Sequence, residues 1–176
     1  MNREFFGRIK EILKNVVYRF LGFKITEIHL RKNVYIIKKD RIGNVIYSKK
    51  ISNVITNVGK AEVAGLINEV TSGGFKYIAI GTGTTSPSAS DTALENEVAR
   101  KLGTTSRKTV NVTNDTAVVE ATFSSSDGLS GSQTISESGL FDDSAGGNIL
   151  SRDSLSDTMN WDNGEQLTIR YEITVS

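Results

Sequence analysis

The chain has no cysteine, one proline (Pro87), one histidine (His29) and one tryptophan (Trp161). Without cysteine there are no disulfides and no thiolate metal sites. A single histidine cannot build a zinc cluster with His or Cys partners. Ser-His-Asp catalysis would have to run through His29, and no nucleophile-elbow motif supports it. On a basic stretch, His29 reads as a surface residue. Aromatic residues make up 7% of the chain, which is little for a sugar-binding cleft. There is no run of about 18 apolar residues, so no membrane span is expected. Charges interrupt the N-terminal apolar stretch at Arg8, Lys10, Glu11 and Lys14, which does not fit a signal peptide.

What is abundant is Gly, Ser and Thr, which points to many turns and a β-rich fold. Charge is divided sharply along the chain. Residues 1–60 hold 14 Lys or Arg against 4 Asp or Glu, and residues 61–176 hold 7 against 16. A basic arm on an acidic body suits an acidic neighbour, including the body of another copy. Positive charge alone would also give nucleic-acid affinity. No reading motif is present, so nucleic acid is not the expected partner.

In residues 3–21, Phe5, Ile9, Ile12, Val16 and Phe20 recur every three or four positions, while Arg3, Arg8, Lys10, Lys14 and Arg19 lie mostly off that stripe. The period predicts an amphipathic basic helix, with its apolar residues as candidates for assembly contacts. Residues 24–52 predict a hairpin turning at 40–44, with Lys38, Lys39, Arg41, Lys49 and Lys50 outward. Asn57 is placed to cap a helix whose apolar face is Val63, Leu66, Ile67 and Val70. The expected division is a basic arm over 1–53, helix plus hairpin, and a β-sandwich over 54–176.

Phe75 to Ile80 reads as a buried strand running into Gly81-Thr82-Gly83-Thr84-Thr85-Ser86-Pro87. A phosphate loop would need Gly-Lys-Ser/Thr after such a strand, and no lysine is there. A dinucleotide loop would need a third glycine where Ser86 stands. Gly81 and Gly83 are therefore expected to be structural, supplying positive φ in a turn. Asp91 to Glu95 reads as a short turn with capping-box spacing between Thr92 and Glu95. Further strands are predicted at 109–113, 117–123, 135–141 and 149–152. The clearest comes last, with Leu167, Ile169, Tyr171, Ile173 and Val175 on one face and Thr168, Arg170, Glu172 and Thr174 on a wet one. Acidic residues at Asp142, Asp143, Asp153, Asp157 and Asp162 read as solvated turns. The spacing of a calcium-binding EF-hand is missing. The pattern as a whole predicts a mainly β protein, an antiparallel, jelly-roll-like β-sandwich with an N-terminal helix-and-hairpin arm.

An ordered set of words carries a resemblance: Ile55-Thr56-Asn57-Val58-Gly59-Lys60, Tyr77 to Thr85, Asp91-Thr92-Ala93-Leu94, Glu97-Val98-Ala99-Arg100, Glu137 to Asp142, Gly146 to Arg152 and Leu167 to Ile173. In order and spacing, over about 54–176, the chain resembles tail-fibre, tail-collar and related virion-surface proteins of tailed viruses. The resemblance implies a non-enzymatic, symmetric homo-oligomer located in the virion, with other virion proteins as partners. It brings no catalytic residue, cofactor or metal. Two alternatives stand beside it: a decoration or turret protein on the capsid head, and a module recognising host-surface glycan.

Overall fold

A computed structural model describes residues 28–52 and 54–176. The expected N-terminal helix, with Phe5, Ile9, Ile12, Val16 and Phe20, lies outside the described residues.

Two antiparallel sheets pack face to face. One contains β1 (Leu30–Lys39), β2 (Val45–Ile51), β5 (Thr104–Lys108), β6 (Thr116–Phe123) and β9 (Gln166–Val175), in the order β2-β1-β9-β6-β5. The other contains β3 (Tyr77–Gly81), β4 (Glu97–Leu102), β7 (Ser132–Phe141) and β8 (Ile149–Asn160), in the order β4-β3-β7-β8. The β-sandwich expected from the sequence is the observed architecture. Its centre is filled by the inward rows of both sheets. Val34, Ile36, Phe123, Leu167, Ile169 and Tyr171 meet Ile78, Ile80, Ile135 and Met159, and Trp161 closes one end.

β9 is the spine of the five-stranded sheet. It pairs with β1 from Leu30↔Val175 to Lys39↔Gln166 and with β6 from Thr116↔Thr174 to Phe123↔Leu167. Strands on both sides shield its outer row, so Thr168, Glu172 and Thr174 are buried where a wet face was expected. Cross-strand contacts satisfy them: Thr168 with Thr122 at 2.8 Å, Thr174 with Thr116 at 2.9 Å, and Glu172 with Lys108 at 2.7 Å. Such pairs are the units of sheet stabilisation.

The hairpin assigned to the arm on sequence grounds forms, but its first strand is an interior strand of the sandwich. Lys32, Val34, Ile36 and Lys38 make up one row of β1. Val34 and Ile36 are core residues, and the lysines at either end reach carboxylates, Asp153 at 2.6 Å and Glu165 at 2.8 Å. Lys38 is thus on the inward row rather than outward. Arg41, Lys49 and Lys50 are exposed as expected.

Three further elements differ from expectation. The helix α1 (Asn57–Ile67) is capped by Thr56, whose side chain accepts from the Gly59 amide at 2.9 Å, not by Asn57. Thr56 is held there because its hydroxyl also donates to the Ile149 carbonyl. The strand expected at 109–113 is a loop, and the strand is β5 instead. The Asp115 carboxylate accepts from the amides of Val110, Asn111 and Val112 and curls the chain away from the sheet. β8 runs through to Asn160, so Asp153 and Asp157 are buried strand residues rather than turn acids.

Candidate functional site

The strand–glycine turn at 77–85 closes over a buried ion network. β3 ends at a register shift between Ile80 and Gly81, and Gly81 lies opposite Glu137 of β7. Glu137 is 1% exposed. One of its oxygens accepts from the amides of Gly83 at 3.0 Å and Asn96 at 2.7 Å; the other accepts from the Glu95 amide at 3.0 Å and Arg152 Nε at 2.8 Å. Four donors around one buried carboxylate are what lets its charge stand away from water.

Arg152, from β8, fills the rest of the site. Nη1 donates to Asp91 at 3.1 Å; Nη2 donates to the Thr85 carbonyl at 3.2 Å and the Thr85 hydroxyl at 3.0 Å. Burial works against its charge, but the hydrogen bonds to Glu137 and Asp91 outweigh it and raise its pKa. Glu95 sits at the outer rim. One of its oxygens accepts from the Thr84 amide at 2.6 Å, the Thr85 amide at 2.8 Å and the Thr85 hydroxyl at 3.0 Å. The amide and then the hydroxyl of Thr85 lead the causes that hold its carboxyl below the usual range. Asn96 adds a 2.6 Å bond from its side-chain amide to Thr82.

The chemistry of this arrangement is that of a latch. In a phosphate site, amides of a glycine turn point at a bound anion. Here the amides of Gly83, Thr84 and Thr85 point at Glu137 and Glu95, the protein's own carboxylates. The guanidinium is spent in the same way. The expectation that Gly81 and Gly83 are structural acquires a different cause, since neither is among the positive-φ residues. A Cβ on Gly81 would lie 2.5 Å from the Asn96 carbonyl oxygen and 2.5 Å from Glu137 Oε1; one on Gly83 would lie 2.5 Å from that same oxygen and 2.5 Å from Glu95 Cβ. Space beside a buried carboxylate, not backbone handedness, requires glycine.

A second buried pair ties the sheets together. Lys32 of β1 reaches Asp153 of β8 at 2.6 Å, with side-chain exposures of 1% and 0%. Ser151 donates to the same carboxylate at 3.3 Å. Burial lowers the Lys32 pKa and raises that of Asp153, each against the pull of its partner.

Of the residues singled out from the sequence, Gly81 and Gly83 lie in the latch, and the apolar stripe of 3–21 lies outside the described residues. Sequence reasoning missed the roles of Glu137, Arg152 and Asp91, although all three stand inside the words that carry the resemblance. Glu95 does not close the capping box expected with Thr92; its carboxylate caps the Thr84–Thr85 turn instead. Among the described residues, no group of His, Cys, Asp and Glu could hold a metal ion, and no helix is long and apolar enough to cross a membrane. Comparison with protein-family models, curated proteins and solved structures returns no match for this chain.

Proposed function

We propose that this chain is a non-enzymatic structural protein of a tailed-virus particle, present as a symmetric homo-oligomer in the tail, collar or fibre-attachment region. The observation that carries the reading is the latch. The words that resemble virion-surface proteins are far apart in sequence, with Thr85 and Arg152 separated by 67 residues and Asp91 and Arg152 by 61. Four of the seven words, those holding Thr85, Asp91, Glu137 and Arg152, meet in one buried network that fixes loops on a sandwich. Residues shared with such a family for architectural reasons would be placed in this way. The basic residues 1–60, which include β1 and β2, and the acidic residues 61–176 offer complementary charge to neighbouring copies and other virion proteins.

Because β1 belongs to the sheet, the segment available for attachment ends near residue 27. The test is a chain lacking residues 1–27, supplied in place of the full chain during particle production and followed by gradient purification and mass spectrometry. Full-length protein is expected in the particle fraction and the truncated, folded protein outside it. Equal incorporation of both removes the attachment role. Absence of the full chain from particles removes the virion reading.

A further inference from the structure

At one pole of the sandwich lies an apolar groove of about 370 Å³. Leu30, Val63, Phe75, Val119, Ile173 and Val175 are among its walls. The loop held by Asp115 forms part of the rim and leaves Val110 and Val112 in solvent. From Val63 the apolar face of α1 continues to Leu66 and Ile67 along positions i+3 and i+4. Ile67 is 79% exposed, and Val70 just beyond the helix is 78% exposed. Among the described residues these large apolar side chains form an exposed patch of the kind that marks a contact surface.

The chain enters the sandwich at this pole. Ile28 is 73% exposed, His29 pairs with Ser176 through its backbone, and Leu30, itself a wall of the groove, is opposite Val175. Immediately before this entry the sequence carries the amphipathic segment 3–21. Residues 22–27 join the two, and six extended residues reach about 20 Å.

We propose that the apolar stripe of residues 3–21 docks intramolecularly on this pole, with Val16 and Phe20 in the groove and Phe5, Ile9 and Ile12 running toward the exposed face of α1. Val16 and Phe20 are nearest the tether, and the groove has room for only a few side chains. A short tether sets an effective concentration on the order of millimolar, so even weak apolar docking is largely occupied. Lys10 and Lys14 lie on the opposite side of the helical pattern and remain outward, available to acidic surfaces of neighbouring copies. This inference rests on reading the N-terminal segment as an assembly arm, but its test is made on isolated protein and is independent of particle incorporation.

The test is amide hydrogen exchange of the full chain, read by mass spectrometry at several protein concentrations. It compares wild type with Val175→Asp in the groove wall and Phe20→Asp in the segment. Amides of 3–21 are expected to be protected in wild type at every concentration. Each substitution should speed their exchange at least tenfold while β7 and β8 exchange as before. If Val175→Asp also loosens β7 and β8, Phe20→Asp, which lies outside the sandwich, decides alone. Unprotected wild-type amides overturn the proposal, as does protection that survives Phe20→Asp. Protection that vanishes on dilution together with a dimer seen by light scattering places the segment on another copy and overturns the intramolecular claim.

Discussion

Arg152 and Glu137 pair at 2.8 Å, Nε to Oε2, on adjacent strands β8 and β7, and their side chains are 4% and 2% exposed. The loop 81–96 is folded around this pair, so its removal should cost more than a surface ion pair would. Breaking one partner of a buried pair typically costs about 3–5 kcal/mol. Glu137→Ala also strands the amides of Gly83, Glu95 and Asn96. Urea unfolding should show a loss in that range, with Glu137→Gln less severe because its carbonyl still accepts. A loss below about 1 kcal/mol, the usual value of an exposed pair, would show that the latch does not hold the loop.

Glycine substitutions separate space from backbone handedness. Gly81→Ala should destabilise by about 1–3 kcal/mol as an overpacking change, and Gly81→Val by more. Gly74 is the control: a Cβ there meets nothing within 4 Å and its φ is not positive. Gly74→Ala should be neutral or stabilising by up to about 1 kcal/mol. Thermal unfolding of both variants checks the contrast, and equal effects would contradict it.

Lys32 and Asp153 should behave as a buried pair retained despite its desolvation. Either single replacement, Lys32→Met or Asp153→Leu, is expected to cost about 3–5 kcal/mol, while the double replacement should recover most of it. A double-mutant cycle in urea measures the coupling. Additive losses would mean that the two charges do not depend on each other.

Asp115 gives the pH prediction. The Val112 amide leads the hydrogen bonds that bring its pKa down to about 2, against roughly 3.9 in an unfolded chain. Its stabilisation of the 109–115 loop is therefore complete above the unfolded value and is lost as pH falls through about 2. A carboxyl NMR titration should place the Asp115 midpoint near 2, and Asp115→Asn should remove the acid-induced loosening of the loop. A midpoint near 4 would show that the amides do not hold it.

The β-sandwich was legible because its central strands alternate cleanly, as in 117–123 and 167–175. The role of β1 was not. Its inward row is Lys32-Val34-Ile36-Lys38, and lysines at both ends disguise a core strand as a basic surface hairpin. Local pattern does not reveal that their carboxylate partners lie on β8 and just before β9. β5 was hidden for a related reason: Val110 and Val112 have strand propensity, yet one downstream carboxylate captures their amides. In the latch, the two glycines were legible as structural. Their cause was not, since the crowding comes from Glu137, more than fifty residues away, together with Asn96 against Gly81 and Glu95 against Gly83.

The virion role proposed for this protein is open to test on purified particles. The most direct measurement is an electron cryomicroscopy map of purified particles whose genome encodes the chain, into which the sandwich is fitted and its copies counted. The expected result is density for the two sheets in a closed ring of copies at the tail, collar or fibre attachment. Density on the head alone would move the protein to a decoration role. Particles with no such density and no such protein would contradict the account.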